Sequence, residues 1–168
     1  GSVAPGMGMA ACEDCKPGTY RNSTDDPTAC FACAPGFVAN ASGSTNCSAC
    51  ELGSAPDPYR ALCVPCEPGY FRGEGMFHCE ECPRGSVSNE TGASSCTACS
   101  LGHEPDPDAT TCEACPRGNY RDASTFLCMP CADGTVANVT GSANCSRCAP
   151  GWVPALPPDR ALYCGECP

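Results

Sequence analysis

Cys66-Glu67-Pro68-Gly69-Tyr70-Phe71-Arg72, running on to Cys79, opens a block of three short cysteine-bounded units. Cys82-Pro83-Arg84-Gly85-Ser86-Val87-Ser88-Asn89-Glu90-Thr91-Gly92, ending at Cys96, is the second unit, and Cys99-Ser100-Leu101-Gly102-His103-Glu104-Pro105-Asp106-Pro107, ending at Cys112, is the third. A Cys-x-x-Cys step joins each unit to the next. The flanks copy this block at a period of 49 residues: Cys33, Cys82 and Cys131 stand 49 apart, as do Cys47, Cys96 and Cys145. Only the first unit, Cys15 to Cys30, and the last, Cys148 to Cys164, are longer than their equivalents. A fixed period of this length marks a linear array in which each unit contacts its neighbours.

The third residue after every opening cysteine is glycine: Gly18, Gly36, Gly53, Gly69, Gly85, Gly102, Gly118, Gly134 and Gly151. A position that accepts no side chain in nine copies predicts a tight turn with positive φ just after the cysteine. Pro17, Pro35, Pro68 and Pro150 directly precede it and stiffen that turn.

The chain has 168 residues, no isoleucine, and 18 Leu, Val and Phe together, too few for an ordinary hydrophobic core. Its 20 cysteines identify a scaffold held by cross-links instead. Each bridge over a loop of about 15 residues contributes roughly 3 kcal/mol in the chain-entropy model. Tandem Cys-x-x-Cys pairs are also a zinc spacing, but ten such pairs without a recurring histidine ligand favour disulfides. Redox catalysis would need a single dithiol at a helix start rather than a repeated one. The expected fold class is therefore small and disulfide-rich: an elongated tandem array of nine short Cys-bridged hairpin or loop units with little regular structure and almost no helix.

Two pairings suit the repeat. The in-phase scheme, which is preferred, closes each unit on itself: Cys15 with Cys30, Cys33 with Cys47, Cys50 with Cys63, Cys66 with Cys79, Cys82 with Cys96, Cys99 with Cys112, Cys115 with Cys128, Cys131 with Cys145 and Cys148 with Cys164. It leaves Cys12 and Cys167 over. The alternative, Cys12 with Cys30 and Cys15 with Cys33 and so on, uses all 20 cysteines but runs out of phase with a three-unit block.

Six of the seven asparagines, Asn22, Asn40, Asn46, Asn89, Asn138 and Asn144, begin an Asn-x-Ser/Thr sequon. They are candidate N-glycosylation sites and point to an exported chain. A net charge of −10 argues against a nucleic-acid partner and against anionic membrane surfaces. No apolar run is long enough to insert into a membrane. One lysine beside eight arginines reads as GC-rich coding, as in an alga or other protist.

The chain divides into residues 1–11, a linker or cloning remnant; repeat blocks 12–65, 66–114 and 115–166; and 167–168, the start of a further unit that the array would continue. The first unit type carries an aromatic-Arg pair (Tyr20-Arg21, Phe71-Arg72, Tyr120-Arg121), read as an arginine stem over a bridge with its head toward a carboxylate. The second carries Val38, Val87 or Val136 at an inward position. The third is proline-rich and is expected to be extended, near polyproline II, with few hydrogen bonds of its own. His78 and His103 are read as exposed, Asp25-Asp26 and Asp106-x-Asp108 as surface acidity rather than a calcium loop, and Trp152 as a bridge cover or contact. No catalytic residue, metal site or cofactor is expected.

Cys-x-Pro-Gly-x-Tyr-Arg…Cys-x-x-Cys followed by Cys-x-x-Gly-x-Val-x-Asn-x-Thr-Gly…Cys-x-x-Cys resembles the ephrin-receptor-like, or growth-factor-receptor, cysteine-rich repeat, and is similar to the first module of tumour-necrosis-factor-receptor repeats. The resemblance covers residues 12–168 and implies one bridge per unit in a rod of small hairpins. The expected function is an extracellular structural or adhesive module of a longer glycosylated cell-surface or filament-forming protein, for example an algal or protist surface or flagellar-hair-like assembly. Its partners would be further repeats of the chain or neighbouring protomers, and N-linked glycans. The alternative is a receptor ectodomain stalk that binds a protein ligand through Tyr20, Phe71 and Tyr120.

Overall fold

The computed structural model describes residues 1–3, 12–24, 28–154 and 164–166. It contains two compact halves, one of Gly1–Glu81 with Glu90–Ser95 and one of Cys82–Asn89 with Cys96–Pro168. Among the described residues there is no helix. The regular structure among those residues is ten separate two-stranded antiparallel sheets. The class expected from the cysteine and glycine pattern, a small disulfide-rich chain of short hairpins, is the one observed.

Each unit is built the same way. The amide of the fourth residue after the opening cysteine donates to the carbonyl of the first, as Thr19 does to Lys16, Ser54 to Glu51 and Asn119 to Pro116. Between them stands the repeated glycine, with φ of 84° at Gly18, 78° at Gly53 and 80° at Gly118. This is the pattern of a type II turn, whose third corner needs positive φ and whose second corner suits proline. The residues after the glycine then pair with the two residues inside the next Cys-x-x-Cys: Thr19–Tyr20 with Phe31–Ala32, and Ser86–Val87 with Thr97–Ala98. The next opening cysteine completes the ladder by donating its amide to the glycine carbonyl, as Cys33 does to Gly18 and Cys115 to Gly102. Turn, strand and bridge therefore close over the same few residues, which is why the glycine and cysteine spacings move together.

The bridges join Cys15–Cys30, Cys33–Cys47, Cys50–Cys63, Cys66–Cys79, Cys82–Cys96, Cys99–Cys112, Cys115–Cys128, Cys131–Cys145 and Cys148–Cys164, so each unit closes on itself. Cys12 is exposed and unbridged. Cys167 lies outside the described residues. The sulfurs and small side chains form the core: Cys15, Cys33, Cys66 and Cys115 are fully buried, joined by Val38, Ala39, Val136 and Ala137. Val38 and Val136 thus take the inward position read from the second unit type, while Val87 is half-buried.

The proline-rich third units depart from expectation. Ser54–Pro56 pairs with Cys63–Pro65, and His103–Pro105 with Cys112–Ala114, giving strands one residue longer than those of the other unit types. The proline falls at the strand's last residue, where its missing amide costs little. The loop beyond is tied down by Asp57, which accepts the amides of Ala61 and Leu62, and by Asp106, which accepts those of Thr110 and Thr111. Ser2–Val3, within the stretch read as linker, also forms a strand against Glu13–Asp14, and the Gly1 carbonyl accepts the Cys15 amide just as the repeated glycines do.

Candidate functional site

The features that recur from unit to unit form the candidate functional surfaces. The first of them is the seam. In the first half, Gly18 donates its amide to Ala39 of the next unit, Gly53 to Arg72, and Gly43 back to Cys15. In the second half, Gly102 donates to Arg121, Gly118 to Ala137, and Gly141 back to Cys115. Contact also skips a unit. A Cβ on Gly53 would stand 1.9 Å from the Gly92 carbonyl oxygen, and one on Gly102 2.0 Å from that of Gly141. The glycine therefore serves two purposes, its own turn and the close approach of the unit two places on. Contact between adjacent units alone, the expectation for a simple linear array, understates the packing.

The arginines of the first unit type lock this seam. Arg72 is 7% exposed and Arg121 6%. Arg72 Nη1 donates to the carbonyls of Cys50, Glu51 and Ser54 in the preceding unit, and its Nε to Met76. Arg121 Nη1 donates to Cys99 and Ser100, while its Nε is buried without a partner. Their heads do not meet carboxylates, as the sequence reading had them do. The turn of the preceding unit exposes a cluster of carbonyls at hydrogen-bonding distance, and the five-donor guanidinium suits that cluster better than one carboxylate would. His78 Nε2 lies 3.6 Å from Glu80 Oε1 on the surface.

Tyr20, Phe71 and Tyr120 are half-buried against their own hairpins. Tyr20 packs on Phe31 across the strands, with ring centroids 6.4 Å apart. These three rings are therefore not a freely exposed ladder. His78 is exposed, whereas His103 is half-buried: its ring sits near Gly141 and its Nδ1 near Ser100 Oγ and the Leu101 carbonyl. Trp152 is exposed on the last hairpin. Asp25 and Asp26 lie outside the described residues. Among the described residues no cluster of His, Cys, Asp or Glu is arranged to hold a metal ion.

Asp106 closes its loop. One carboxylate oxygen accepts the amides of Thr110 and Thr111, and the other their hydroxyls. These bonds, the Thr110 hydroxyl first among them, hold its carboxyl below the usual range. Asp122 is lowered in the same way, chiefly by the Ser124 hydroxyl. A carboxyl depressed in the folded state stabilises the fold above the ordinary Asp value of about 3.9, and that contribution is lost as pH falls through the folded value. The Asp106 carboxyl, followed by NMR, is expected to titrate below that ordinary value, and exchange of the Thr110 and Thr111 amides should quicken through the same titration. A carboxyl titrating at or above the ordinary value would refute this.

Five sequon asparagines, Asn40, Asn46, Asn89, Asn138 and Asn144, are exposed, and Asn22 is half-buried. The Asn22 side-chain oxygen accepts both the amide and the hydroxyl of Thr24. At the equivalent place two blocks on, Asp122 accepts the amide and hydroxyl of Ser124. The hydroxyl two residues on thus has a turn-forming use at Asn22 that it need not share with the other five sites.

The family model for tyrosine-protein kinase ephrin type A/B receptor-like sequences matches residues 1–55 and 69–111. The chain belongs to this family. No curated protein matches it. Ephrin receptor-like repeats are a receptor-type cysteine-rich module rather than an enzyme class, and nine disulfides in such a module place it among extracellular sequences. No helix among the described residues is long and apolar enough to cross a membrane.

Proposed function

We propose that this chain is a structural or adhesive repeat module of a longer glycosylated cell-surface or filament-forming protein, such as an algal or protist surface or flagellar-hair-like assembly. The observation that carries this reading is the recurrence of one seam. Gly53 to Arg72 and Gly102 to Arg121 are the same hydrogen bond 49 residues apart, as are Gly92 to Cys66 and Gly141 to Cys115, and Gly43 to Cys15 is its counterpart in the first block, where the opening unit is two residues longer. Identical bonds at a fixed interval are what a chain needs in order to be lengthened by adding blocks. Head-to-tail contact with a neighbouring protomer would follow the same logic and would build an open filament unless the rotation closes. N-linked glycans on Asn40, Asn89 and Asn138 would sit at equivalent exposed turns of the second unit type.

Electron microscopy of the native material, with glycopeptide mass spectrometry alongside, tests the proposal. Regular fibres containing these units, with glycan on Asn40, Asn89 and Asn138, are the expected result. Isolated flexible stalks would reject the filament, and unmodified asparagines would reject the glycan partners. The receptor-stalk alternative placed its ligand on Tyr20, Phe71 and Tyr120, whose half-buried rings leave little surface for it.

A further inference from the structure

One groove in the first half differs in character from its own repeat copy. It is an open cleft of about 400 Å³ lined by Pro56, Pro58, Val64, Pro65, Tyr70 and the edge of His78. Val64 is 48% exposed and Tyr70 37%, and the loop beside them in sequence carries Tyr59 at 80% and Leu62 at 58%. One period later the chain has Glu113 for Val64, Asn119 for Tyr70, Asp108 for Tyr59 and Thr111 for Leu62. The copy keeps the same hairpin, His103–Pro105 against Cys112–Ala114, with these polar residues in place. Apolar side chains are thus not needed at these positions to build the unit. At these four positions one copy exposes two aromatics and two aliphatics where the other is polar, although the copy carries an exposed Leu127 in place of His78. Exposed apolar surface of this kind on an acidic, soluble-composition chain marks contact with something else.

The charge of the groove says what. Asp57 and Glu67 line it and no lysine or arginine does. Glu81 holds the Tyr70 hydroxyl at 3.3 Å. Glu81 foremost, and Glu67 after it, raise the Tyr70 phenol above its ordinary value, so the negative potential is felt inside the groove itself. Arg60 is not among the lining residues; its guanidinium donates to the Cys33 carbonyl. No sequon falls between Asn46 and Asn89, which leaves this stretch free of candidate glycans.

We infer that the groove between Val64 and Tyr70 is a docking site for an extended, basic polypeptide segment that seats an apolar side chain among the prolines and sets a lysine or arginine against Glu67. This goes beyond the scaffold role above, since a spacer or a filament subunit works without such a groove. A rigid proline-and-tyrosine surface loses little conformational freedom on binding, and the rim of carboxylates supplies attraction and orientation.

The test uses the full oxidised chain and two synthetic peptides with a central Leu-Pro-Leu, one flanked by lysines and one by glutamates. The lysine-flanked peptide is expected to shift the NMR signals of Val64 and Tyr70, and to bind at least about tenfold more tightly than its glutamate counterpart at low salt. Val64→Thr with Tyr70→Asn, polar residues of the kind the repeat copy tolerates, should abolish the shifts while all nine bridges remain. Glu67→Gln should weaken binding and flatten its salt dependence. Absence of binding, equal binding of both peptides, or undiminished binding by the Val64→Thr, Tyr70→Asn variant would overturn the inference. Self-association that this variant abolishes would overturn it too, by assigning the groove to a second copy of the chain.

Discussion

Gly102→Ala is expected to open the seam of the second half and to cost about 3 kcal/mol or more, at the severe end for a single substitution. Two effects add. The residue has φ of 76°, where an L side chain is strained by about 1–2 kcal/mol. Its Cβ would also stand 2.0 Å from the Gly141 oxygen and 2.5 Å from the Gly141 carbonyl carbon, and backbone cannot rotate aside as a flexible side chain can. The units must separate, which strains the bond from the Gly102 amide to Arg121 and that from Gly141 to Cys115. Gly134→Ala is the matched control: φ is 82°, but nothing lies within 4 Å of the added carbon. It should cost only the conformational term of about 1–2 kcal/mol. Native-state amide exchange at Cys115 and Gly141 gives the comparison directly, because an array of units need not unfold as a single cooperative body. Equal effects of the two substitutions would show that the close approach of Gly102 and Gly141 carries no weight.

Arg72→Met should be nearly as damaging. The methionine retains much of the apolar stem but removes donors to four carbonyls, those of Cys50, Glu51, Ser54 and Met76. An acceptor left buried without a donor costs about 1–3 kcal/mol, and relief from burying a cation offsets part of the sum, so a net loss of about 3 kcal/mol is expected. Arg121→Met should cost less, about 1–2 kcal/mol, because Arg121 serves two carbonyls and its Nε is buried without a partner in the native fold. Arg72→Lys should recover little, since an ammonium cannot reproduce the planar fork. Denaturant unfolding of the oxidised protein ranks the variants. If Arg121→Met proved the more destabilising, the carbonyl count would be the wrong explanation for why these arginines are buried.

The two arginines also show where reading a sequence stops. Their recurrence 49 residues apart was visible. The destination of the guanidinium was not, and the sequence reading sent it to a carboxylate in a chain rich in carboxylates. The same holds for His103, read as exposed but half-buried against Gly141, and for the proline-rich units, read as unpaired yet holding strands of three residues. The candidate surfaces divided similarly. Sequons were legible as residue triplets, but only the fold revealed that the Thr24 hydroxyl completes a turn at Asn22. The Val64–Tyr70 groove left only a trace in the repeat, Glu113 for Val64 and Asn119 for Tyr70, and the fold is what gathers these residues into an open cleft.

By itself the sequence determined the unit: its length, the turn glycine, the hairpin that follows, the absence of a conventional core, and the replacement of that core by cross-links. Those features depend on chain separations of 13 to 16 residues within one bridge and on the backbone freedom of single glycines, both of which are local and can be read in order. Only the tertiary structure decided how the units meet: that Gly53 faces Gly92 and Gly102 faces Gly141, that buried arginines bind carbonyls of the preceding turn, and that one groove is apolar and exposed. Those outcomes depend on the rotation from each unit to the next, which no cysteine spacing encodes, because a bridge that closes a unit on itself leaves the angle to its neighbour free.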